Sequence, residues 1–202
     1  MEVLVGRKAP DFTVPAVLAS GDIVEDFNLY KSIKNKYGLV FFYPLDFTFV
    51  CPSELIALHH AINDFYERNV EIVAISVDSQ FAHYTWRSIP VEKGGIGSVS
   101  YTLASDVSHS VCRSYGVEYP QDGGIALRGV FLIDKQAIVR SQTVNDFPLG
   151  RSISEILRVI DALQFTEKNE NIVCPANWKK GDVGIQASPE GVVKYLLATN
   201  AS

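Results

Sequence analysis

The 202-residue chain has only three cysteines, Cys51, Cys112 and Cys174. They are too few for a disulfide scaffold, and a chain this long does not need one to build a core. It lacks a long hydrophobic run: the longest, Gly38 to Leu45, is far too short to span a bilayer. It also lacks a strong charge of either sign. With 18 basic residues against 23 acidic ones, the net charge of −5 gives no general attraction to phosphate. Neither nucleic acid nor an anionic membrane is therefore expected as a partner. The 14 glycines and 9 prolines exclude collagen-like or low-complexity chains. A composition 47% hydrophobic and 20% charged belongs to a folded domain rather than a disordered one. The first ten residues, with Glu2 early and Arg7 and Lys8 late, show no apolar stretch after a basic start. The expected setting is a reducing cytoplasm, where a thiol is structural or reactive more often than locked in a bridge.

What is present is patterned. Leu39–Tyr43, Ile72–Val77 (broken by Ser76) and Val130–Ile133 are apolar at consecutive positions, as strands covered on both faces are. Helix-period segments lie between and after them. Leu55, Leu58, Ile62 and Phe65 mark one face of a helix after Cys51. Ser152 and Glu155 form a capping-box pattern ahead of Ile156, Leu157, Ile160 and Leu163. Strand, helix, strand in succession implies right-handed crossovers and an α/β fold with a largely parallel sheet. Asp134-Lys135-Gln136 predicts a tight turn and an antiparallel last strand near Ile138–Ser141, and Ser20-Gly21-Asp22 predicts a hairpin near the start. From Thr166 onward the chain is polar, carries Cys174-Pro175 and ends in a short apolar stretch, Val192 to Leu197. The expected division is residues 1–165 as one domain and 166–202 as an arm. The arm's Trp178 and Tyr195 should pack on their own domain or on a neighbouring subunit.

The richest stretch is Phe42-Tyr43-Pro44-Leu45-Asp46-Phe47-Thr48-Phe49-Val50-Cys51-Pro52-Ser53-Glu54. A buried strand ends at Pro44 and an amphipathic helix begins near Thr48 to Pro52, where proline is tolerated in the first turn. Cys51 thus falls at a helix N-terminus, whose dipole and free N–H groups favour a thiolate and hence a nucleophile. Thr48, three residues earlier, can turn its hydroxyl towards the sulfur or cap the helix. The plainer alternative is a space-filling cysteine with Thr48 as an ordinary cap. His59 and His60 lie eight and nine residues on, roughly 12 Å along the helix, so neither serves as base for Cys51. His83 and His109 sit in separate segments, and no metal site is expected. Activation must then come from backbone dipoles and a permanent cation. Arg128 is a candidate, either buried with an anion or pointing to solvent. Arg151 alone reads as a surface charge. Val107, Val111, Cys112 and Tyr115 share a helical face, which makes Cys112 a packing residue.

These residues carry a resemblance. Pro44-x-x-x-Thr48-x-x-Cys51 is similar to the active-site motif of the peroxiredoxins. Val173-Cys174-Pro175-Ala176-Asn177-Trp178 resembles the second-cysteine motif of their typical two-cysteine subgroup, that of thioredoxin peroxidase and alkyl hydroperoxide reductase C. The similarity runs from Gly6-Arg7-Lys8-Ala9-Pro10-Asp11-Phe12 through Gly124–Gly129 and Thr143-Val144-Asn145-Asp146 to Tyr195. It implies a thioredoxin-like fold, a central mixed sheet flanked by helices with an N-terminal β-hairpin and a C-terminal arm. It further implies a peroxidase with no cofactor of its own, reducing hydrogen peroxide and alkyl hydroperoxides. By the resemblance Cys51 is the peroxidatic cysteine, passing through sulfenic acid. Thr48 bonds thiolate and peroxide, Arg128 stabilises the charge, and Pro44 shields the pocket. Glu54 and Arg151 orient the arginine, and Cys174 is the resolving cysteine from the other subunit. Thioredoxin, or else a flavoprotein disulfide reductase, is the implied reductant. The implied assembly is a homodimer, five of which form a decamer.

Two departures from the family pattern bear on regulation. Gly94-Gly95-Ile96-Gly97 resembles a loop of members prone to over-oxidation, while their terminal Tyr-Phe pair stands here as Tyr195-Leu196. Intermediate sensitivity to sulfinic acid formation is the expectation. The alternative functions are a redox-switched holdase chaperone or a peroxide-signalling protein on the same scaffold. A general disulfide oxidoreductase is disfavoured because Cys51 has Thr48 and Glu54, not a second cysteine, three residues away.

Overall fold

β1 (Thr13–Val17) and β2 (Ile23–Asn28) pair antiparallel around Ser20-Gly21-Asp22, the expected hairpin. The structure is a computed structural model and describes residues 3–119, 121 and 123–199. A single turn, α1 (Leu29–Ser32), leads into β3 (Tyr37–Phe42), the first apolar run, every residue of which is buried. Next come α2 (Cys51–His60), α3 (Ile62–Glu67), β4 (Val70–Ser76), α4 (Gln80–Ser88), a 3₁₀ turn (Val91–Lys93), β5 (Thr102–Ser105) and α5 (Ser110–Ser114). β6 (Arg128–Ile133), again buried throughout, and β7 (Val139–Asn145) close the sheet.

The seven strands lie in the order β2-β1-β5-β4-β3-β6-β7. β3 is parallel to β4 and β4 to β5, while the other neighbours are antiparallel. Runs that are apolar at every position thus occupy the centre of the sheet, where both faces are covered. The Asp134 turn forms as expected. Asp134 Oδ1 accepts the N–H groups of Gln136 and Ile138 at 2.8 and 2.9 Å, and Ala137 takes φ 60°.

The expectation of a largely parallel sheet is corrected: only β3–β4 and β4–β5 are parallel, because among neighbouring strands these are the pairs joined by helical crossovers, whereas β1–β2 and β6–β7 are joined by tight turns, and the sheet is mixed. Two local expectations also need correction. The helix after Cys51 is two helices, α2 and α3, broken at Ala61 (φ −92°, ψ 8°), although Leu55, Leu58, Ile62 and Phe65 are all buried as the spacing requires. α5 is shorter than the Val107–Tyr115 face implied. Val107 precedes it and is exposed, and only Val111, Cys112 and Tyr115 are buried.

The chain divides into two compact units at Ile153/Ser154, ahead of α6 (Ile153–Lys168). In the second unit, β8 (Ile172–Val173) and β9 (Ile185–Gln186) pair antiparallel, and α7 (Pro189–Thr199) packs on β9. Trp178 is buried there. Its ring lies 4.9 Å from that of Phe165, its Nε1–H donates to Asp182 O, and Arg158 donates to its carbonyl. Glu155 also holds Arg158 at 2.7 Å. Among the described residues no helix is long and apolar enough to cross a membrane.

Candidate active site

β3 delivers the chain to Pro44, and the loop from Leu45 to Val50 turns it into α2, whose first residue is Cys51. Pro52 stands in the first turn, and the N–H groups of Ser53 and Glu54 turn back to Val50 O at 3.1 and 3.3 Å. The positive end of the helix dipole therefore falls at Cys51. No side chain caps the helix, so Thr48 is not an ordinary cap. Its hydroxyl donates to Leu45 O at 2.8 Å, leaving the oxygen as an acceptor.

Arg128, at the start of β6, is buried, which decides between its two readings. Its Nη1 lies 3.5 Å from Cys51 Sγ and donates to Glu54 Oε2 at 2.7 Å, while its Nε donates to Phe147 O at 2.7 Å. Arg151 is no surface charge either: its side chain is 2% exposed. Its backbone N–H and Nε both donate to Glu54 Oε1 and its Nη2 to Oε2, each at 2.8 Å. Its Nη1 donates to Phe42 O and Gly129 O, and the guanidinium stacks 3.3 Å from the centroid of the Phe41 ring. One carboxylate thus locks two buried guanidinium groups, and one of these reaches the sulfur. A β-carbon at Gly129 would fall 2.9 Å from Val117 and 3.0 Å from Phe131, so glycine is needed where the strand passes these side chains.

Burial pushes the Glu54 carboxyl up, but the hydrogen bonds and charge of Arg151, with the charge of Arg128, outweigh it and hold the group below its ordinary 4.5. A carboxyl lowered in the folded state contributes stability that is complete above the unfolded value and is lost as pH falls through the folded one. Denaturant titrations between about pH 3 and pH 6 should therefore show native stability falling more steeply with acid than that of a Glu54→Gln variant. Parallel curves would remove Glu54 from the acid response.

A cleft of about 390 Å³ opens beside the sulfur, lined mainly by apolar groups that include Pro44, Leu45, Phe49 and Phe147, with Thr48 and Arg128 as its polar members. Cys51 itself is fully buried and does not line it.

Beneath the loop lies a polar cluster that sequence reading missed. His83 Nδ1 is 2.8 Å from Asp46 Oδ2, and Tyr43 OH donates to Asp46 Oδ1 at 2.8 Å. Asp78 Oδ2 accepts both the Asp46 N–H and the Ser76 hydroxyl. Burial, against the pull of His83, holds the Asp46 carboxyl above its ordinary value. The available signal was the spacing Gln80, His83, Trp86, three apart, which puts all three on the buried face of α4. Trp86 Nε1–H in turn donates to Gly94 O, tying the Gly94–Gly97 loop to α4. Gly95 in that loop has no room for a β-carbon, which would sit 1.9 Å from Ile89 O.

The other cysteines are placed differently. Cys112 is buried, and burial with the nearby Asp106 and Glu118 carboxylates pushes its thiol up to about 12. Cys174 is half-buried in the second unit, its thiol raised by burial against the opposing charge of Arg158. His59 accepts the Ser100 N–H at 3.2 Å and is a satisfied side chain.

The family model described as AhpC/TSA matches residues 5–142. The chain belongs to this family, the peroxiredoxins. A second model, the C-terminal domain of 1-Cys peroxiredoxin, matches residues 162–198. Among related peroxiredoxins, alkyl hydroperoxide reductase C of Buchnera aphidicola (subsp. Baizongia pistaciae, strain Bp) is 50% identical over 194 residues, 96% of either chain. Peroxiredoxin-1 of Gallus gallus is 43% identical over 195 residues, again 96% of each. The reduced 2-Cys peroxiredoxin of Plasmodium vivax superposes with a TM-score of 0.92 at 48% identity, covering 97% of this chain and all of that one. The fold is the thioredoxin-like fold of peroxiredoxins, and the protein is an enzyme, a thiol-dependent peroxidase. The holdase alternative is not favoured.

Proposed function

We propose that Cys51 is the peroxidatic cysteine and that the residues around it divide the work of peroxide reduction. The observation that carries the reading is a buried sulfur at a helix N-terminus, 3.5 Å from a guanidinium that Glu54 holds in place. A negative sulfur there is favoured by the dipole and by Arg128. It attacks one oxygen of the peroxide in line. The S–O bond forms as the O–O bond breaks, the sulfur becomes sulfenic acid, and the departing alkoxide or hydroxide takes a proton from solvent. Thr48, whose own proton is committed to Leu45 O, accepts the peroxide's O–H, while Arg128 stabilises charge on the oxygens. Pro44 walls the cleft, whose apolar lining suits alkyl hydroperoxides as well as hydrogen peroxide. Glu54 and Arg151 act through Arg128 as positioning residues.

Cys174, from the 166–202 arm of a partner subunit, then attacks the sulfenic sulfur. Water leaves, a Cys51–Cys174 disulfide forms, and an external dithiol, thioredoxin before a flavoprotein disulfide reductase, restores both thiols. A cytoplasmic homodimer, assembling into a decamer, is the working form. The Gly94–Gly97 loop with Tyr195-Leu196 gives intermediate sensitivity to over-oxidation.

The test is a Cys174→Ser variant with thioredoxin and its reductase. It should consume one equivalent of peroxide per chain and stop, leaving Cys51 as a sulfenic acid that a 1,3-dione reagent captures. Continued turnover at the native rate would show that Cys174 does not resolve the intermediate.

A further inference from the structure

A second group of chemistry-bearing side chains lies away from the cleft, at the start of α5. His109 Nδ1, Cys112 Sγ and a Glu118 carboxylate oxygen all lie within 4.8 Å of one another. Spacing along the chain shows only half of this. Cys112 is the third residue of α5 and His109 its N-cap, in the left-handed conformation (φ 59°), so a single turn of chain separates them. Glu118 returns to them through the turn after Tyr115, where it bridges to Ala126. The sulfur is fully buried, while the His109 and Glu118 side chains are 25% and 22% exposed, so the group has an inner sulfur and an outer pair open to water.

The outer pair already has the spacing that a tetrahedral ion needs. Bonds of about 2.0–2.1 Å to nitrogen and oxygen put those two atoms roughly 3.4 Å apart, and Nδ1 and Oε1 are 3.3 Å apart here. The charges also favour a cation. The Asp106 carboxylate sits on the inner side, accepting the N–H groups of Val111 and Cys112 at 3.0 and 2.8 Å. Against Asp106 and Glu118 stands, among the described residues, the cation Arg113, whose Nη1 is 3.3 Å from Glu118 Oε1 and whose Nη2 donates to Ser108 O; its side chain is 56% exposed, so water can replace both bonds when it moves aside.

We propose that His109, Cys112 and Glu118 bind one thiophilic divalent cation, zinc(II), with water in the fourth position. A sulfur, an imidazole and a carboxylate suit zinc and exclude magnesium and calcium, which take oxygen. On binding, the Cys112 thiol gives its proton to solvent, and His109 carries its proton on Nε2 so that Nδ1 ligates. The Nδ1 contact with Gly124 O, 3.0 Å, and the thiol bond to His109 O are released. Glu118 exchanges Arg113 for the metal. Asp106, holding the Cys112 N–H, keeps the sulfur in place as an outer-shell carboxylate does.

The experiment uses the reduced, metal-free full-length chain carrying Cys51→Ser and Cys174→Ser, which leaves Cys112 as its one thiol. Titration with cobalt(II) should give a thiolate-to-cobalt absorption band that saturates at one equivalent and disappears when zinc(II) is added. His109→Gln and Glu118→Gln, each at a partly exposed ligand, should weaken binding about tenfold or more, and Arg113→Ala should tighten it. The absence of the band in the chain with Cys112 alone would overturn the site. So would a band of unchanged affinity in both the His109→Gln and Glu118→Gln backgrounds, whether or not a Cys112→Ala chain folds.

Discussion

A Cys51→Ser chain is expected to reduce hydrogen peroxide at least about 10³-fold more slowly than the native protein. The substitution changes one atom at a fully buried site, so the effect is chemical rather than structural. A hydroxyl is not ionised near neutrality even beside a guanidinium and a helix N-terminus, and oxygen attacks the O–O bond poorly. Arg128, Glu54 and Arg151 keep their mutual bonds, so the melting temperature should hardly move. Stopped-flow competition against a peroxidase of known rate, alongside a thermal melt, measures both quantities. A residual rate within tenfold of native would mean that another sulfur attacks the peroxide. Cys112 and Cys174 are the other free thiols, but burial raises the thiol pKa of each, which argues against such an outcome.

The second large effect lies one turn along α2. Glu54→Gln should lower stability by about 3–5 kcal/mol, because it leaves two buried guanidinium groups without their anion. For a chain of this size that corresponds to a melting temperature lower by roughly 10 °C. Arg128 and Arg151 are 4% and 2% exposed and cannot reach water to compensate. The rate with peroxide should fall by about 10²-fold as well, since Arg128 is no longer held at the sulfur. An unchanged melt would show that the carbonyls of Phe42, Gly129 and Phe147 suffice for the two cations. A normal melt with a depressed rate would assign Glu54 to positioning alone.

Much of the scaffold was legible because it follows from short-range rules. Apolar runs, interrupted only by Ser76, marked β3, β4 and β6, and Ser20-Gly21-Asp22 and Asp134-Lys135-Gln136 marked their turns. Pro52 after Cys51 marked the helix start. Where the reading failed, the deciding partner was distant. Arg151 looks like a surface charge until Glu54, 97 positions away, closes on it. His83 has no pattern of its own; the Asp46 carboxylate that engages it is 37 positions earlier. Alanine is the strongest helix former by intrinsic preference, so nothing at Ala61 itself marked the break that the backbone makes there (φ −92°, ψ 8°). Val107 matched the helical period but precedes the turn that starts α5, so the period alone overextended that helix.

Cys51 and Glu54 share the first turn of α2. Any unwinding of that turn that carries the sulfur out of its pocket also pulls the carboxylate from both arginines. The two cations then act as a latch: their pull on the carboxylate is strongest at contact, 2.7 and 2.8 Å, and fades with distance, so the electrostatic cost of releasing the sulfur falls on the first few ångströms of its travel.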